Sequence, residues 1–289
     1  MTADLIRQHA QSSSALTVAR MCDLVAMPRR AYYRLVGRTQ PKNIHMRLRD
    51  QIQRIALEWP SYGYRRITHE LARRGVMANH KLVLRLMRTD NLLCLRKRRF
   101  VRTTDASHPL PVYPNLAPQM VLTGLNQLWV ADITYIQLAH EFVYLAVILD
   151  AFSRRCIGWA LERHLQSQLA LAALQMAIAT RGVQPGLVHH SDRGVQYASQ
   201  AYIERLTQHG IQISMSRRGN AYDNAKAERF IRTLKYEEVC MFEYAEMAEA
   251  RERIGHFLET VYNRKRLHSA LGYRPPAEFE QSLPQTRTP

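Results

Sequence analysis

Two hydrophobic rhythms divide the chain. Through about residue 95 the apolar positions recur every three or four residues, the spacing of one face of a helix. In the run SALTVARMCDLVAMPRRAYYRLV, Ala15, Ala19, Cys22, Leu24 and Val25 lie at that spacing, and the pattern breaks at Met27-Pro28 before restarting with basic residues. That reads as helix, turn, helix, with Pro28 suited to the first position of the second helix, where its missing N–H costs nothing. A plain helical hairpin fits the same run. From Arg47 to about Leu95 three further stripes follow: Ile52, Ile55, Ala56 and Trp59; Ile67, Leu71 and Ala72; Leu82, Val83, Leu86 and Met87. Pro60, Gly63 and Gly75 punctuate them, and Asn79 is placed to cap the third helix.

After residue 120 the rhythm becomes that of strands. LWVADITYI (Leu128–Ile136), EFVYLAVILDAF (Glu141–Phe152) and RCIGWALER (Arg155–Arg163) predict three successive antiparallel strands. A helix over Gln168–Arg181, a strand over Gly186–Asp192, a helix over Ser199–His209, a short strand over Ile211–Met215 and a helix from about Tyr222 to Glu238 complete the pattern. The order β-β-β-α-β-α-β-α is that of an α/β, ribonuclease-H-like mixed sheet. The expected division is a helical segment over 1–40, a helix-turn-helix-like domain over 45–98, a linker over 99–119 and the α/β core with a helical tail over 120–280.

Charge sharpens this picture. The formal net charge is +17, and residues 1–120 hold 22 Lys+Arg against 7 Asp+Glu, 22 − 7 = +15, whereas the remainder holds 19 against 17, only +2. A basic front half calls for a polyanion, and nucleic acid is the leading candidate. Candidate DNA contacts are Arg29 and Arg30 on the second helix, Arg65 and Arg66 in the middle unit, and Lys81, Arg85 and Arg88 on the helix expected to read the groove. Lys97 and Arg98 join them in the basic run that leads into the linker, whose prolines keep it extended. Cys22, Cys94, Cys156 and Cys240 stand too far apart for a zinc site at C-x-x-C spacing. No apolar run reaches the roughly 18–20 residues of a membrane span and no leader opens the chain, so a cytoplasmic protein is expected.

Three acids fall where the predicted topology can gather them: Asp132 in the first strand, Asp192 ending the fourth, and Glu228 on the helix after the fifth. Singly they read as a strand-edge acid, a turn cap and an i,i+4 partner of Arg232. Together, with 59 and 35 residues between them, they suit hard divalent cations, which take carboxylate oxygens and substrate phosphates as ligands. Asp150 reads as the close of a turn, Asp223 as a cap, and His189 and His190 as one DNA contact and one packed residue.

The motifs NQLWVADITYI, HHSDRGVQYAS, SRRGNAYDNAKAERFIRTLKYE and YNRKRLHSALGYRPPAEF resemble the DDE transposase and retroviral integrase superfamily, and closely the catalytic, second-frame transposase of insertion sequences of the IS three family. The likeness spans roughly Tyr62 to Phe279. It implies that Asp132, Asp192 and Glu228 bind two Mg²⁺ or Mn²⁺ ions and that Lys235, seven positions beyond the glutamate, contacts DNA. Arg232 shares the stripe of Glu228 and Lys235, and Asn220 sits with Gly219 in a loop that lets DNA approach. Arg264, Lys265, Arg266 and His268 form a cationic tail patch. The implied partners are double-stranded DNA at terminal inverted repeats and at a target, further copies of the chain assembled on that DNA, and an upstream protein joined by frameshift. A ribonuclease-H-like nuclease that does not join strands, and a helix-turn-helix repressor with an inactive core, are the alternatives.

Overall fold

The computed structural model describes residues 17–36, 45–93, 111–217 and 223–284. The chain forms two compact units that divide between Arg54 and Ile55. In the first, helices α1 (Val18–Leu24) and α2 (Arg29–Val36) bury Met21, Cys22 and Tyr32 against one another. Thr17 caps α1 by accepting from the Arg20 N–H. The second helix starts one residue later than expected: Pro28 lies just outside it, and its carbonyl accepts from Ala31 and Tyr32 in the first turn. Helix α3 (Met46–Glu58) carries the chain across the division.

The second unit opens with α4 (Tyr64–Arg73) and α5 (His80–Thr89), whose inward faces bury Ile67, Leu71, Val83, Leu86 and Met87. Asn79 caps α5 through its Oδ1, which accepts from the Lys81 N–H at 2.8 Å. The core sheet follows: β1 (Leu128–Gln137), β2 (Phe142–Asp150), β3 (Cys156–Glu162), β4 (Val188–Ser191) and β5 (Gln212–Met215), arranged β3-β2-β1-β4-β5. The β1, β2 and β3 strands are antiparallel meander neighbours, while β4 and β5 run parallel to β1. Helices α6 (Ser167–Arg181), α7 (Gln200–Gln208) and α8 (Ala225–Leu234) complete the ribonuclease-H-like arrangement.

Because strand side chains alternate between faces, β1 feeds two cores. Leu128, Val130 and Ile136 pack with Ala227, Phe230 and Leu234 of α8, whereas Trp129 and Ala131 pack with Leu169, Ala173 and Leu174 of α6. The α6 side is tight at one point: a Cβ on Gly158 would come within 2.2 Å of the Ala173 carbonyl. Glycine is required there by the closeness of helix and strand.

The helix expected to run unbroken to Glu238 changes character at Lys235, where the chain widens into a π-helical turn over Lys235–Val239. Helix α9 (Met247–His256), a second π-helical stretch over Phe257–Lys265 and α10 (Pro276–Gln281) form the tail. Within the second unit this tail grips α4. The Tyr62 hydroxyl accepts from the Leu267 N–H at 2.8 Å, His69 stacks on Tyr273 with ring centroids 3.7 Å apart, and Arg73 forks onto Glu278 at 2.9 and 2.6 Å.

Candidate active site

Parallel pairing of β1 with β4 sets Leu128, Trp129 and Val130 beside Val188, His189 and His190. Two residues beyond the last paired positions come Asp132, still within β1, and Asp192, the first residue past the end of β4. Strand neighbours are about 4.8 Å apart, so the pairing of Val130 with His190 delivers Asp192 to the neighbourhood of Asp132, where its charge is felt. Asp132 Oδ1 accepts from the Ile133 N–H at 2.9 Å, and Asp192 Oδ1 accepts from the Gly194 N–H at 2.9 Å. A Cβ on Gly194 would lie 3.0 Å from that same carboxylate oxygen, so the glycine makes room for the turn that holds Asp192.

The third acid arrives on α8. Asn224, at the helix N-terminus, donates from Nδ2 to the Ala131 carbonyl at 2.8 Å, tying the helix to the β1 residue next to Asp132. Glu228 follows one turn later and is exposed. Its charge is felt at Asp132, whose carboxyl is pushed up to about 8, first by burial and then by Asp192 and Glu228, while the Ile133 N–H and Lys235 pull the other way. Among the described residues no three His, Cys, Asp or Glu side chains are gathered tightly enough to hold a metal ion. The donor set still fits a hard divalent cation: it is all oxygen, and its mutual repulsion is what such a cation relieves.

Tyr197 is fully buried in the core on the α6 side, its hydroxyl pushed well above the usual phenol range by burial, by Tyr202 and by the charges of Asp192 and Asp132. Lys235 is half-buried with its ammonium 4.3 Å from the centre of the Tyr135 ring. Burial pulls its pKa down, and Cys240 and Asp132 support its charge. Arg232 is exposed on α8.

The other sequence candidates divide. Arg29 and Arg30 are exposed on α2, Arg65 on α4, and Lys81, Arg85 and Arg88 on α5. Arg66 instead turns inward, half-buried with its guanidinium 5.4 Å from the Tyr62 ring centre. Lys97, Arg98, Gly219 and Asn220 lie outside the described residues. The tail patch is only half a surface: Arg264 and Lys265 are exposed, but Arg266 is buried on Glu237 at 2.6 and 2.8 Å, and His268 is buried beside Tyr262. His189 and His190 are both interior. Tyr202 bonds His189 at 3.0 Å, and Ser214 and Ser216 bond His190 at 2.8 and 3.0 Å, which leaves neither placed to touch DNA.

Asp150 closes its turn by accepting from the N–H groups of Asn126, Phe152 and Ser153. Asp223 accepts from the Arg217 N–H and pairs with its guanidinium, while Asn224 takes the helix N-terminus. Sequence reading did not single out Gly194 or Tyr197. The DRGVQY string containing both was visible as a motif, but only the fold shows which atoms meet the aspartates.

Models of the integrase core domain match residues 123–221 and 209–276, and a model of an HTH-like domain matches residues 45–100. The chain is 37% identical over 269 residues to the insertion element IS600 uncharacterized 31 kDa protein of Shigella sonnei, covering 92% of this chain and 99% of that one. It is 39% identical over 221 residues to the transposase for insertion sequence element IS904 of Lactococcus lactis subsp. lactis (strain IL1403), covering 76% and 87%. It is 33% identical over 270 residues to transposase InsF for insertion sequence IS3A of Escherichia coli (strain K12), covering 91% and 94%. Among the described residues no helix is long and apolar enough to cross a membrane.

Proposed function

The chain belongs to the family of IS3-type insertion-sequence transposases, and on that premise we propose that it cuts DNA at the terminal inverted repeats of its element and joins the freed 3′-hydroxyl to a target strand. Asp132, Asp192 and Glu228 would hold two Mg²⁺ or Mn²⁺ ions. Bound there, such ions activate the attacking oxygen and stabilise the leaving one in an in-line phosphoryl displacement. The observation that carries the reading is that β4, paired with β1 up to Val130 and His190, ends next to Asp192, that the charges of Asp192 and Glu228 both act on Asp132, and that the helix of Glu228 is tied to the residue beside Asp132.

The chain's own residues do the rest. Gly194 and Ile133 orient the two aspartates through backbone N–H groups. Arg232 on the α8 stripe of Glu228, and Lys235 just past the helix end, are suited to steadying phosphates next to the reacting one. Lys81, Arg85 and Arg88 supply sequence reading and phosphate contact from α5, with Arg29, Arg30 and Arg65, and with Lys97 and Arg98 just before the linker, while the half-buried Arg66 supports α4 from within. The division into 1–40, 45–98, 99–119 and 120–280 belongs to this proposal, as do assembly of several copies on paired element ends, a frameshift-joined upstream partner and action in the cytoplasm.

The test is a strand-cleavage and strand-transfer assay on terminal-repeat duplexes with Mg²⁺. Asp132→Asn, Asp192→Asn and Glu228→Gln are each expected to cut both activities at least ~100-fold, a loss of several kcal/mol of transition-state stabilisation, while DNA binding persists. Full processing by Asp132→Asn would refute the reading, and cleavage without joined product would favour a nuclease that only hydrolyses.

A further inference from the structure

Several cations that leave water in the second unit meet acids: Arg266 lies on Glu237, and Arg155 and Arg181 share Glu280. One group departs from this. Arg154, in the turn after β2, and Lys226, on the first turn of α8, are half-buried, and neither has a side-chain hydrogen bond or ion pair with another described residue. The tail closes in on both. Asn263 exchanges hydrogen bonds with the Cys156 backbone at 3.0 and 2.8 Å, two residues beyond Arg154, and Phe230, next to Arg229 on α8, meets the Tyr262 ring edge to face at 4.7 Å. Tyr262 meets the His268 ring at 4.8 Å, and His268 Nε2 is buried without a hydrogen-bond partner among the described residues.

The charges of this group act on one another. Burial lowers the pKa of Arg154, with Arg229 adding to it, and pulls Lys226 down to about 8, with Arg154 adding to it. Burial, then Arg266, Arg66 and Arg154, push His268 far below the usual imidazole range. Asp150 is the acid that Arg154 and Lys226 feel, and its carboxylate already serves the N–H groups of Asn126, Phe152 and Ser153. Unpaired cations kept out of water destabilise a fold, so a cluster of them is complementary to an anion. The left-handed backbone of Arg154, φ 63°, adds to that cost. One guanidinium fork matches a planar carboxylate, whereas a phosphate presents oxygens in several directions and takes donors from a turn, a helix and a tail together. In a chain that acts on DNA, the phosphate at hand is that of the backbone. We propose that Arg154, Lys226, Arg229 and His268 form a pocket for one backbone phosphate of DNA, set apart from the three acids. At about 100° per residue, Lys226 points about 160° away from Glu228 around α8, so the strand held here is not the one being cut. This rests on the transposase reading, and it gives the tail motif a part in holding DNA.

The test is ethylation interference, in which neutralising single phosphates of a terminal-repeat duplex shows which of them the full chain needs, for the native protein and for Arg154→Gln and Lys226→Gln. Each variant is expected to bind about 10-fold more weakly on duplexes of any sequence, and to lower the slope of log affinity against log salt by about 0.9. Each is expected to lose its sensitivity at one phosphate, the same in both, and to keep the rest. Without DNA the melting midpoint is expected to hold or rise, since a crowding cation is gone; a merely structural residue would lower it. An interference pattern equal to the native one, or lower melting with every position lost alike, overturns the pocket. A native midpoint raised by millimolar inorganic phosphate, with the variants' interference pattern unchanged, assigns the pocket to the free ion and overturns the DNA assignment. If the native protein neither binds nor cuts the duplex with Mg²⁺, the transposase reading itself falls and takes the pocket with it.

Discussion

Arg154, in the turn after β2, holds a backbone φ of 63°, a left-handed conformation that costs a side chain about 1–2 kcal/mol and a glycine almost nothing. Its N–H donates to the Asp150 carbonyl at 2.8 Å, so the turn imposes the angle. Arg154→Gly is therefore expected to raise stability by about 0.5–1 kcal/mol after the entropy of the freer unfolded chain is counted, read as a higher midpoint in thermal denaturation. The buried histidines act the other way. Burial pulls His189 down to about 3 and His190 to about 4, against 6.5 in an open chain, so the unfolded state binds more protons in acid. Their stability contribution is complete above pH 6.5 and is lost as pH falls toward about 4. Denaturant midpoints are expected to drop steeply between pH 7 and pH 5, and a flat profile would contradict neutral interior imidazoles. At this scale the three acids stood out as a candidate set because their spacing and surrounding strings stand in the sequence. The interior place of the histidines was not legible, because Tyr202, Ser214 and Ser216 come to them from other elements.

The alternation of the strands and the 3.6-residue stripes of the helices follow from which face each element buries, and so the order of strands and helices in the core was readable in advance. The end of α8 was not. Its apolar stripe continues through Leu234, but the π-helical turn at Lys235 shifts the following side chains around the axis, a local geometry no periodicity announces. Two predictions belong to elements. Asn224→Ala removes the bond that ties α8 to β1 and leaves the buried Ala131 carbonyl without its donor, at about 1–3 kcal/mol. Cleavage is expected to fall while DNA affinity holds, because the helix of Glu228 loses its anchor and the cations of α5 do not; equal losses in both would point to general unfolding. Gly158→Ala would thrust a methyl within 2.2 Å of the Ala173 carbonyl and drive α6 off β3. Overpacking of that kind costs about 1–3 kcal/mol or more, and the yield of soluble protein together with the melting midpoint measures it.

Across the second unit the tail joins parts of the chain more than 200 residues apart, and its contacts differ in kind. Arg73 and Glu278 form a two-pronged pair whose side chains remain 42% and 39% exposed, so solvent screens it. Tyr62 is 1% exposed, and its hydroxyl is the acceptor for the Leu267 N–H, a backbone donor that water cannot reach. Burial raises the Tyr62 hydroxyl to about 12, so it stays a neutral phenol throughout the physiological range. An exposed ion pair contributes about 0–1 kcal/mol, whereas a buried donor stripped of its partner costs about 1–3 kcal/mol. Tyr62→Phe is therefore expected to destabilise the protein more than Arg73→Ala does, although it removes a single oxygen atom and no charge. Added salt separates them further, because it weakens the ion pair and leaves the buried bond untouched. Chemical denaturation of both variants in urea, at low and high salt, measures the difference. A larger loss for Arg73→Ala at high salt would mean that surface charge, not the buried tyrosine, holds α4 to the tail.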